Sequence, residues 1–324
     1  MSQPAVLVTG GAGYIGSVTC KLLSQKGFTP VVIDNLSLGH ADFVKWGPLV
    51  QADIWDEVAI SDAIHTYKPL AVLHFAALSN VGDSVKDPNA YFQNNVSGSL
   101  RFLDILVKHG ISCFVFSSTA ATYGEPESDL IDRDHKQNPI NPYGLGKLMI
   151  ETALKDYDKA HGLRSVSFRY FNAAGADPEG DVGENHNPET HLIPLALQAV
   201  LGQRASLTVF GEDYPTPDGT CIRDYIHVHD LAMAHVLALE SLLDGAPTSF
   251  YNLGNGQGFS VKEVLSVVQQ VTGKEVPHVI GDRRAGDPAC LVADASVTHD
   301  RFNWTIQYPD LDCIVQHAWD FITK

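Results

Sequence analysis

The sequence has few cysteines and no run of apolar residues long enough to cross a membrane as a helix. Its five cysteines are scattered, odd in number and never arranged as a C-x-x-C pair. This scarcity argues against a disulfide framework and against a cysteine-based zinc site. A membrane helix needs about 18 or more consecutive apolar residues, and the N-terminal stretch lacks the basic and apolar regions of a secretion signal. We therefore expect a reduced, cytoplasmic protein.

Positive charge is also scarce. Lysine and arginine number 22 and aspartate and glutamate 38, which gives a net charge of −16. Such a surface repels phosphate backbones and anionic lipids, so we expect neither a nucleic-acid partner nor a membrane partner. An anionic small molecule can bind only where a few basic residues converge.

Short β-branched segments alternate with helical patterns in the first half of the chain. The predicted strands are 5–8, 30–33, 49–51, 71–75, 113–117 and 165–169, and the predicted helices are 14–26, 60–67, 95–109 and 147–159. This alternation predicts a doubly wound parallel sheet, the Rossmann type of α/β fold. We expect residues 1–172 to form that domain, with about 220–254 returning to it. Residues 173–324 should form mainly a smaller α/β substrate domain, with an irregular loop or lid at 173–189.

A glycine-rich segment, Thr-Gly-Gly-Ala-Gly-Tyr-Ile-Gly at 9–16, follows the first strand and opens the first helix. Glycines at 10, 13 and 16 allow a tight turn and let the backbone approach a pyrophosphate at the helix N-terminus. Asp34, at the end of the next strand, suits a ribose diol and repels a 2′-phosphate, which favours NAD over NADP. The alternative is an ordinary turn followed by an exposed aspartate.

Later strand ends offer further cofactor contacts. Asp53 and Ile54 follow the third strand and are expected near the adenine. Phe75, Ala76 and Ala77 follow the fourth, where small side chains permit close approach. Asn94 either holds a backbone segment or binds a cofactor hydroxyl.

Tyr143 and Lys147 are spaced i and i+4, so on a helix their side chains share one face. A nearby ammonium should lower a phenol pKa that starts near about 10. A phenolate beside a bound nicotinamide can take a proton from an alcohol while hydride leaves its carbon. The alternative is a plain surface pair. The pattern indicates redox chemistry on a secondary alcohol.

The glycine segment, the strand end at Ser117, Ser118 and Thr119, and the Tyr-x-x-x-Lys pair together resemble the extended short-chain dehydrogenase/reductase superfamily. Segments 34–36, 74–77, 94–96, 169–172, 218–220, 223–228 and 251–254 narrow the resemblance to its UDP-glucose 4-epimerase family. The resemblance implies a redox-neutral cycle with tightly bound NAD, interconverting UDP-glucose and UDP-galactose through a 4-keto intermediate. It also implies a homodimer, formed by helices at about 95–109 and 147–160. Apolar residues such as Val96, Leu100, Leu103 and Val107 fit either that interface or an ordinary core.

The resemblance assigns roles to individual residues. Tyr143 is the implied base, Lys147 binds the nicotinamide ribose, and Thr119 contacts the sugar 4-oxygen. Further implied cofactor contacts are Tyr14, Ile15, Asn35 and Phe171. The implied substrate contacts are Asn172, Arg223 and Arg284 at the diphosphate, Asp287 near the ribose, Thr208 to Phe210 along the uracil, and His191, Leu192 and Leu291 near the sugar.

Three residues depart from the family pattern, and each bears on the site. Ser79 stands where many members have lysine, and His191 where many have asparagine. Leu291 replaces a bulkier tyrosine of some members, which predicts activity on the N-acetylated UDP-hexosamines as well. His227 and His229 suggest a metal pair, but alternate residues of a strand point to opposite faces, so we expect no metal site.

Other functions remain open from the sequence. Nucleotide-sugar dehydratases and decarboxylases share this scaffold, but they need acidic residues after the strand end, where this chain has Ala120 and Ala121. A plain dehydrogenase would release NADH. A catalytically inactive NAD-sensing protein would have no need of Tyr143 and Lys147.

Overall fold

The computed structural model describes residues 3–284 and 287–324. The strands, numbered in chain order, are β1 (Ala5–Thr9), β2 (Thr29–Asp34), β3 (Leu49–Gln51), β4 (Ala71–His74), β5 (Cys113–Ser117), β6 (Leu130–Ile131), β7 (Arg164–Tyr170), β8 (Asn172–Ala174), β9 (Leu207–Phe210), β10 (Ile222–His227), β11 (Ser249–Leu253), β12 (Gly258–Ser260), β13 (His278–Gly281) and β14 (Cys290–Ala293). The α-helices are α1 (Tyr14–Gln25), α2 (Glu57–Tyr67), α3 (Val81–Lys86), α4 (Pro88–Tyr91), α5 (Ser99–Lys108), α6 (Pro142–His161), α7 (Leu192–Val200), α8 (Val228–Leu243), α9 (Val261–Thr272), α10 (Ser296–Phe302) and α11 (Leu311–Ile322). Short 3₁₀ turns lie at Ala41–Phe43 and Ala120–Thr122.

A parallel sheet of seven strands forms the centre, in the order β11-β7-β5-β4-β1-β2-β3. One apolar cluster joins α1 and α8 to one face, and a second joins α2, α5 and α6 to the other. Its inner strands are buried on both faces because helices cover both sides. The predicted doubly wound α/β fold is confirmed.

A smaller α/β region follows. Strands β12, β10, β14 and β6 form a second sheet, β8 pairs with β10, and β13 pairs with β9. A third apolar cluster packs α7, α9 and α11 against these strands. Residues at about 220–254 were expected to return to the first domain. Of these, α8 and β11 pack with the large sheet, whereas β10 lies in the second sheet. The division into two domains at residue 172 stays a prediction.

The prediction of one regular helix over 95–109 is wrong in one respect. Residues Phe92–Gly98 form a π-helix between α4 and α5, so the helical stretch begins at Pro88 and changes its winding. Leu103 is fully buried in the second cluster, and Val96, Leu100 and Val107 pack partly against it. Much of this apolar surface therefore serves the core. No helix within residues 3–284 and 287–324 has the length and apolar character to span a bilayer.

The loop predicted at 173–189 is tied to α1 by one buried cation. The Lys21 Nζ atom lies 2.7 Å from Asp177 Oδ2 and 2.8 Å from both Glu179 Oε2 and Asp181 Oδ2, and its side chain is 5% exposed. The Tyr14 hydroxyl also donates to the Gly175 carbonyl at 2.7 Å. These bonds fix the loop beside the glycine-rich turn that opens the same helix.

We expect Lys21→Met to destabilise the protein, because the buried Asp177 carboxylate would lose its countercharge. Removing one partner of a buried ion pair costs about 3–5 kcal/mol, and we expect the lower end because Glu179 and Asp181 are partly exposed. Urea unfolding measures the loss. Lys108→Met, which breaks an exposed pair with Glu57, is the control and should leave the midpoint almost unchanged. Equal midpoints for the two variants would contradict this account.

Candidate functional site

One cavity of about 1060 Å³ runs along the carboxyl edge of the large sheet and into the smaller region. It is lined by every site residue that the sequence predicted: Gly10, Gly13, Tyr14, Ile15, Gly16, Asp34, Asn35, Asp53, Ile54, Phe75, Ala76, Ala77, Asn94, Thr119, Tyr143, Lys147, Phe171, Asn172, His191, Leu192, Thr208, Phe210, Arg223, Arg284, Asp287 and Leu291. Ser79 lines it as well. Residues from both halves of the chain thus meet in one space, although their individual roles stay predictions.

The glycine-rich turn at one end of the cavity has no room for side chains. Gly10 has a φ of 70°, and a Cβ there would lie 2.6 Å from the Ala76 backbone nitrogen. A Cβ on Gly16 would lie 2.2 Å from the Gly10 carbonyl oxygen. This packing holds the start of α1 at the cavity, where its free N–H groups and dipole suit a pyrophosphate. The turn therefore fits a dinucleotide.

Asp34, the predicted ribose contact, lines the cavity at the end of β2. Its carboxylate accepts hydrogen bonds from the Ala12 N–H at 3.0 Å and the Leu36 N–H at 2.9 Å. Burial raises the pKa of this carboxyl, and the two N–H groups oppose that rise. Beside it, the Asn35 amide donates to Asp53 Oδ1 at 2.6 Å, which joins two predicted adenosine contacts.

The π-helix bears on the two alternatives for Asn94, and its cofactor role stays a prediction. It is the neighbouring Asn95 that holds a backbone segment, accepting from the Leu78 N–H at 2.9 Å and donating to the Leu78 carbonyl at 2.8 Å. Asn94 donates to Asn95 and lines the cavity. A π-turn changes which residues share a face, and such turns recur at functional sites.

Tyr143 lies in the first turn of α6, earlier than the predicted helix start at 147. Asn141 caps this helix by accepting from the Gly144 N–H at 2.8 Å, and Pro142 occupies the first turn. A Cβ on Gly144 would lie 2.3 Å from the Ala121 carbonyl oxygen. Only glycine permits so close an approach, which brings Tyr143 next to Thr119.

Lys147 is fixed by a backbone group of the central sheet. Its Nζ atom donates to the Ser117 carbonyl at 2.7 Å and lies 5.9 Å from the centre of the Tyr143 ring. Thr119 Oγ1 accepts from the Ala121 N–H at 3.1 Å, which leaves its own proton free to donate. The Tyr143 phenol, the Lys147 amine and the Thr119 hydroxyl therefore meet at the end of β5.

The pKa argument from the sequence is wrong for the chain by itself. Burial raises the pKa of the Tyr143 phenol, Tyr170 adds to that rise, and Thr119 lowers it only in part. Burial also lowers the pKa of Lys147 to about 7, although the charge of Glu151 raises it. The i,i+4 spacing correctly predicts that the Tyr143 and Lys147 side chains lie close together. It does not predict that both are buried away from water. A further positive charge in the cavity is needed to favour the phenolate.

A buried ion pair behind the site escaped the sequence analysis. Glu151 accepts from Arg169 at 3.0 Å and 2.8 Å and from the Ser118 hydroxyl at 2.5 Å. Arg169 also donates to the Tyr123 hydroxyl at 3.0 Å. The sequence could have indicated that Glu151 lies near the site, because it follows Lys147 by four residues and so shares its helix face.

Basic side chains converge at the other end of the cavity. Arg223 pairs with Asp287, and the Arg284 guanidinium lies 4.0 Å from the centre of the Phe210 ring. Asn172 donates to the Asp224 carbonyl at 2.9 Å. Arg283 instead pairs with Asp213. Two arginines from distant segments therefore face one space, which suits a diphosphate.

The histidine pairs differ from expectation. His227 ends β10, but His229 lies in α8, so the argument that both belong to one strand is wrong. His227 Nε2 lies 2.9 Å from His317 Nδ1. His191 immediately precedes α7, and its Nδ1 contacts the Glu184 carboxylate. Glu184, His186 and Glu189 also line the cavity, and the sequence analysis did not single them out.

A glycine turn at a helix N-terminus, a carboxylate at the end of the second strand and a Tyr–Lys pair line one cavity, a combination typical of dinucleotide-dependent enzymes of the short-chain dehydrogenase/reductase class. Comparison with known proteins agrees. The family model described as "NAD dependent epimerase/dehydratase family" matches residues 6–254. The chain belongs to this family, which confirms the predicted family resemblance and the NAD cofactor.

Individual relatives match over the full length. A protein of Rhizobium leguminosarum bv. trifolii, named UDP-glucose 4-epimerase, is 53% identical over 100% of this chain and 99% of its own. The crystal structure of UDP-glucose 4-epimerase from Brucella ovis in complex with NAD is 49% identical, with a TM-score of 0.96 and 98% of each chain covered. The UDP-Glc/GlcNAc 4-epimerase of Campylobacter jejuni is 37% identical, with a TM-score of 0.86 and 99% of each chain covered.

We expect NAD to remain bound through purification, because the dinucleotide end of the cavity is built from rigid backbone and a buried carboxylate. Denaturing the purified protein and assaying the supernatant should release stoichiometric NAD. Gly16→Val, which places a side chain against the Gly10 carbonyl, is the comparison and should yield much less. A parent protein that purifies free of NAD and binds it only when it is added would contradict the prediction.

Proposed function

We propose that the protein is a UDP-glucose 4-epimerase, which interconverts UDP-glucose and UDP-galactose through a 4-keto intermediate. The observation that carries the proposal is the single cavity, which joins Tyr143, Lys147 and Thr119 to the arginine pair. A nucleotide sugar has the matching layout, with a diphosphate at one end and a secondary alcohol at the other. The names of the full-length relatives support the same activity.

The residues of this chain supply the proton chemistry. The chemistry supplied by bound NAD would be to accept hydride from C4 and to return it to the opposite face of the keto sugar. Tyr143 takes the proton of the 4-hydroxyl and later gives it back, and Thr119 donates a hydrogen bond to the same oxygen. Lys147, held on the Ser117 carbonyl, contacts the nicotinamide ribose beside the phenol.

The arginines hold the part of the substrate that does not react. Arg223 and Arg284 bind the diphosphate while the sugar turns to present its other face. Asp287, paired with Arg223, orients that guanidinium. Thr208 and Phe210 are half-buried on β9 along the uracil, whereas Val209 points into the core.

The rival reactions find less support. A dehydratase or decarboxylase needs an acid next to the hydroxyl donor, and Ala120 and Ala121 occupy that place. Glu184 and Glu189 line the cavity, but both contact histidines. A plain dehydrogenase would release NADH at each turnover, and a non-catalytic NAD sensor would not retain the Tyr–Lys pair.

The sugar end of the cavity also suits N-acetylated substrates. Leu291 lies half-buried on β14, directly opposite Arg223 in the strand pairing, so it is close to the diphosphate site. Leucine leaves more space there than tyrosine. The Campylobacter jejuni relative is named for both UDP-Glc and GlcNAc. We therefore include UDP-N-acetylglucosamine and UDP-N-acetylgalactosamine among the proposed substrates.

The proposed assembly is a homodimer through α5 and α6. Leu145 and Met149 on α6 are exposed apolar residues that such an interface would cover. Sedimentation equilibrium tests this, and a monomer at micromolar concentration would contradict it. A cytoplasmic location stays a prediction from the sequence.

Tyr143→Phe tests the proposed function most simply. The variant keeps the ring but loses the ionisable oxygen, so epimerisation should fall by at least the about 10²–10⁴-fold that acid–base catalysis contributes. Tyr157 lies on the same helix as Tyr143, and its hydroxyl bonds to Asp104 of α5. Tyr157→Phe removes that hydroxyl, so it is the matched control and should keep near-parental turnover. Near-normal turnover of Tyr143→Phe with NAD bound would show that another group is the base.

Leu291→Tyr tests the substrate range. The added phenol should fill space beside the sugar 2-position and lower kcat/KM for the N-acetylated pair. The rates for UDP-glucose and UDP-galactose serve as the internal control and should change much less. If the parent has no N-acetyl activity, or if the variant keeps all of it, Leu291 does not control access.

A further inference from the structure

Four metal-binding side chains lie together in the segment that forms the sugar end of the cavity. Glu184, His186, Glu189 and His191 each offer one donor atom, and these four atoms all lie within 4.8 Å of one another. We call them the Glu–His cluster. Nothing in the proposed epimerisation uses three of these four residues, and the sequence analysis expected no metal.

The donor atoms are close enough together to approach one metal ion. His186 Nδ1 lies 3.3 Å from Glu184 Oε1 and 3.7 Å from Glu189 Oε2. His191 Nδ1 lies 3.8 Å from Glu189 Oε1 and contacts Glu184 Oε1 directly. Around an ion with bonds of about 2.0–2.1 Å, tetrahedral donors lie about 3.3–3.4 Å apart. Small side-chain shifts would bring all four atoms onto one ion.

The two carboxylates are buried, and histidines are their partners. The side chains of Glu184 and Glu189 are 5% and 4% exposed. Within the described part of the chain, the ion pairs of both carboxylates are with His186 and His191, and neither pairs with a lysine or arginine. A buried charge requires compensation. A divalent cation with two neutral imidazoles would neutralise both carboxylates.

The backbone around the Glu–His cluster holds its ligands in place. The N–H groups of Thr190 and His191 donate to Glu189 Oε1 at 2.7 and 2.9 Å. The His40 ring bonds to the Asn185 carbonyl at 2.7 Å. Such outer contacts orient ligands in metal sites. The donor atoms are therefore brought together by the fold of the loop.

We propose that the Glu–His cluster binds one zinc ion that fixes residues 184–191 against the sugar end of the cavity. Imidazole nitrogen with carboxylate oxygen in a four-ligand set is a zinc-type donor combination. Because the protein supplies all four ligands, the ion is structural and activates no water. Ligation through Nδ1 also fixes the His191 ring, which lines the cavity.

The competing account is a metal-free network of protonated histidines and glutamates. Burial lowers the pKa of His186, but hydrogen bonds to Glu184 and Glu189 outweigh this and raise it to about 10. The two accounts differ in whether the cluster takes up one metal ion, which can be measured.

The test is titration of the chelator-stripped, NAD-bound protein with ZnCl₂ by isothermal calorimetry. We expect one zinc per chain. Substituting Co²⁺ should give the visible absorption of a four-coordinate ion. No binding, or a six-coordinate cobalt spectrum, would overturn the proposal.

Variants locate the ion. Glu189→Gln and His186→Gln each remove a ligand and should weaken zinc binding by more than the about 10–100-fold typical of losing an outer-shell partner. His161→Gln, at the exposed end of α6, and His317→Asn, beside His227, are controls and should bind zinc like the parent. Retained NAD and circular dichroism establish folding. Unchanged binding in both ligand variants, or its loss in His317→Asn, would overturn the assignment.

Discussion

The N-terminus of α6 lies directly against the backbone that follows β5, and the rest of the active site depends on that contact. Gly144 leaves no space between the helix and the Ala121 carbonyl, and Asn141 caps the helix at the same point. Tyr143 therefore emerges beside Thr119, and Lys147 reaches the Ser117 carbonyl one turn later. A larger residue at 144 would move the proposed base away from both its partner and the dinucleotide end of the cavity.

Two buried lysines in this acidic chain have opposite environments, and the difference follows from their neighbours. Lys21 contacts three carboxylates, so its ammonium is firmly charged and anchors a loop. Lys147 contacts a carbonyl, and the nearest carboxylate, Glu151, is already bonded to Arg169. Burial then lowers the Lys147 pKa to about 7. With so little fixed positive charge in the site, the proposed role of Tyr143 as the base would depend on a further positive charge, which bound oxidised NAD would supply.

Much of the fold and of the candidate site follows from the sequence, because both depend on short-range patterns. Apolar runs alternating with helical periodicity predict the parallel sheet, and strand ends collect at one edge, so residues such as Asp34 and Thr119 could be placed together. The rest depends on long-range contacts or on solvation. Three predictions failed for that reason. The segment around Asn94 is a π-helix, His229 lies in a helix rather than a strand, and the Tyr143 pKa is raised rather than lowered. The Glu–His cluster was overlooked because it forms only when an irregular loop folds back on itself.

The proposed epimerisation requires that hydride leaves C4 and returns to the same carbon without net consumption of NAD. Incubation of the purified protein with UDP-galactose carrying deuterium at C4, with no added NAD, tests it most directly. Mass spectrometry and NMR of the products should show UDP-glucose with the deuterium retained at C4. Loss of the label to solvent, or a keto sugar that accumulates with NADH in place of UDP-glucose, would contradict the account.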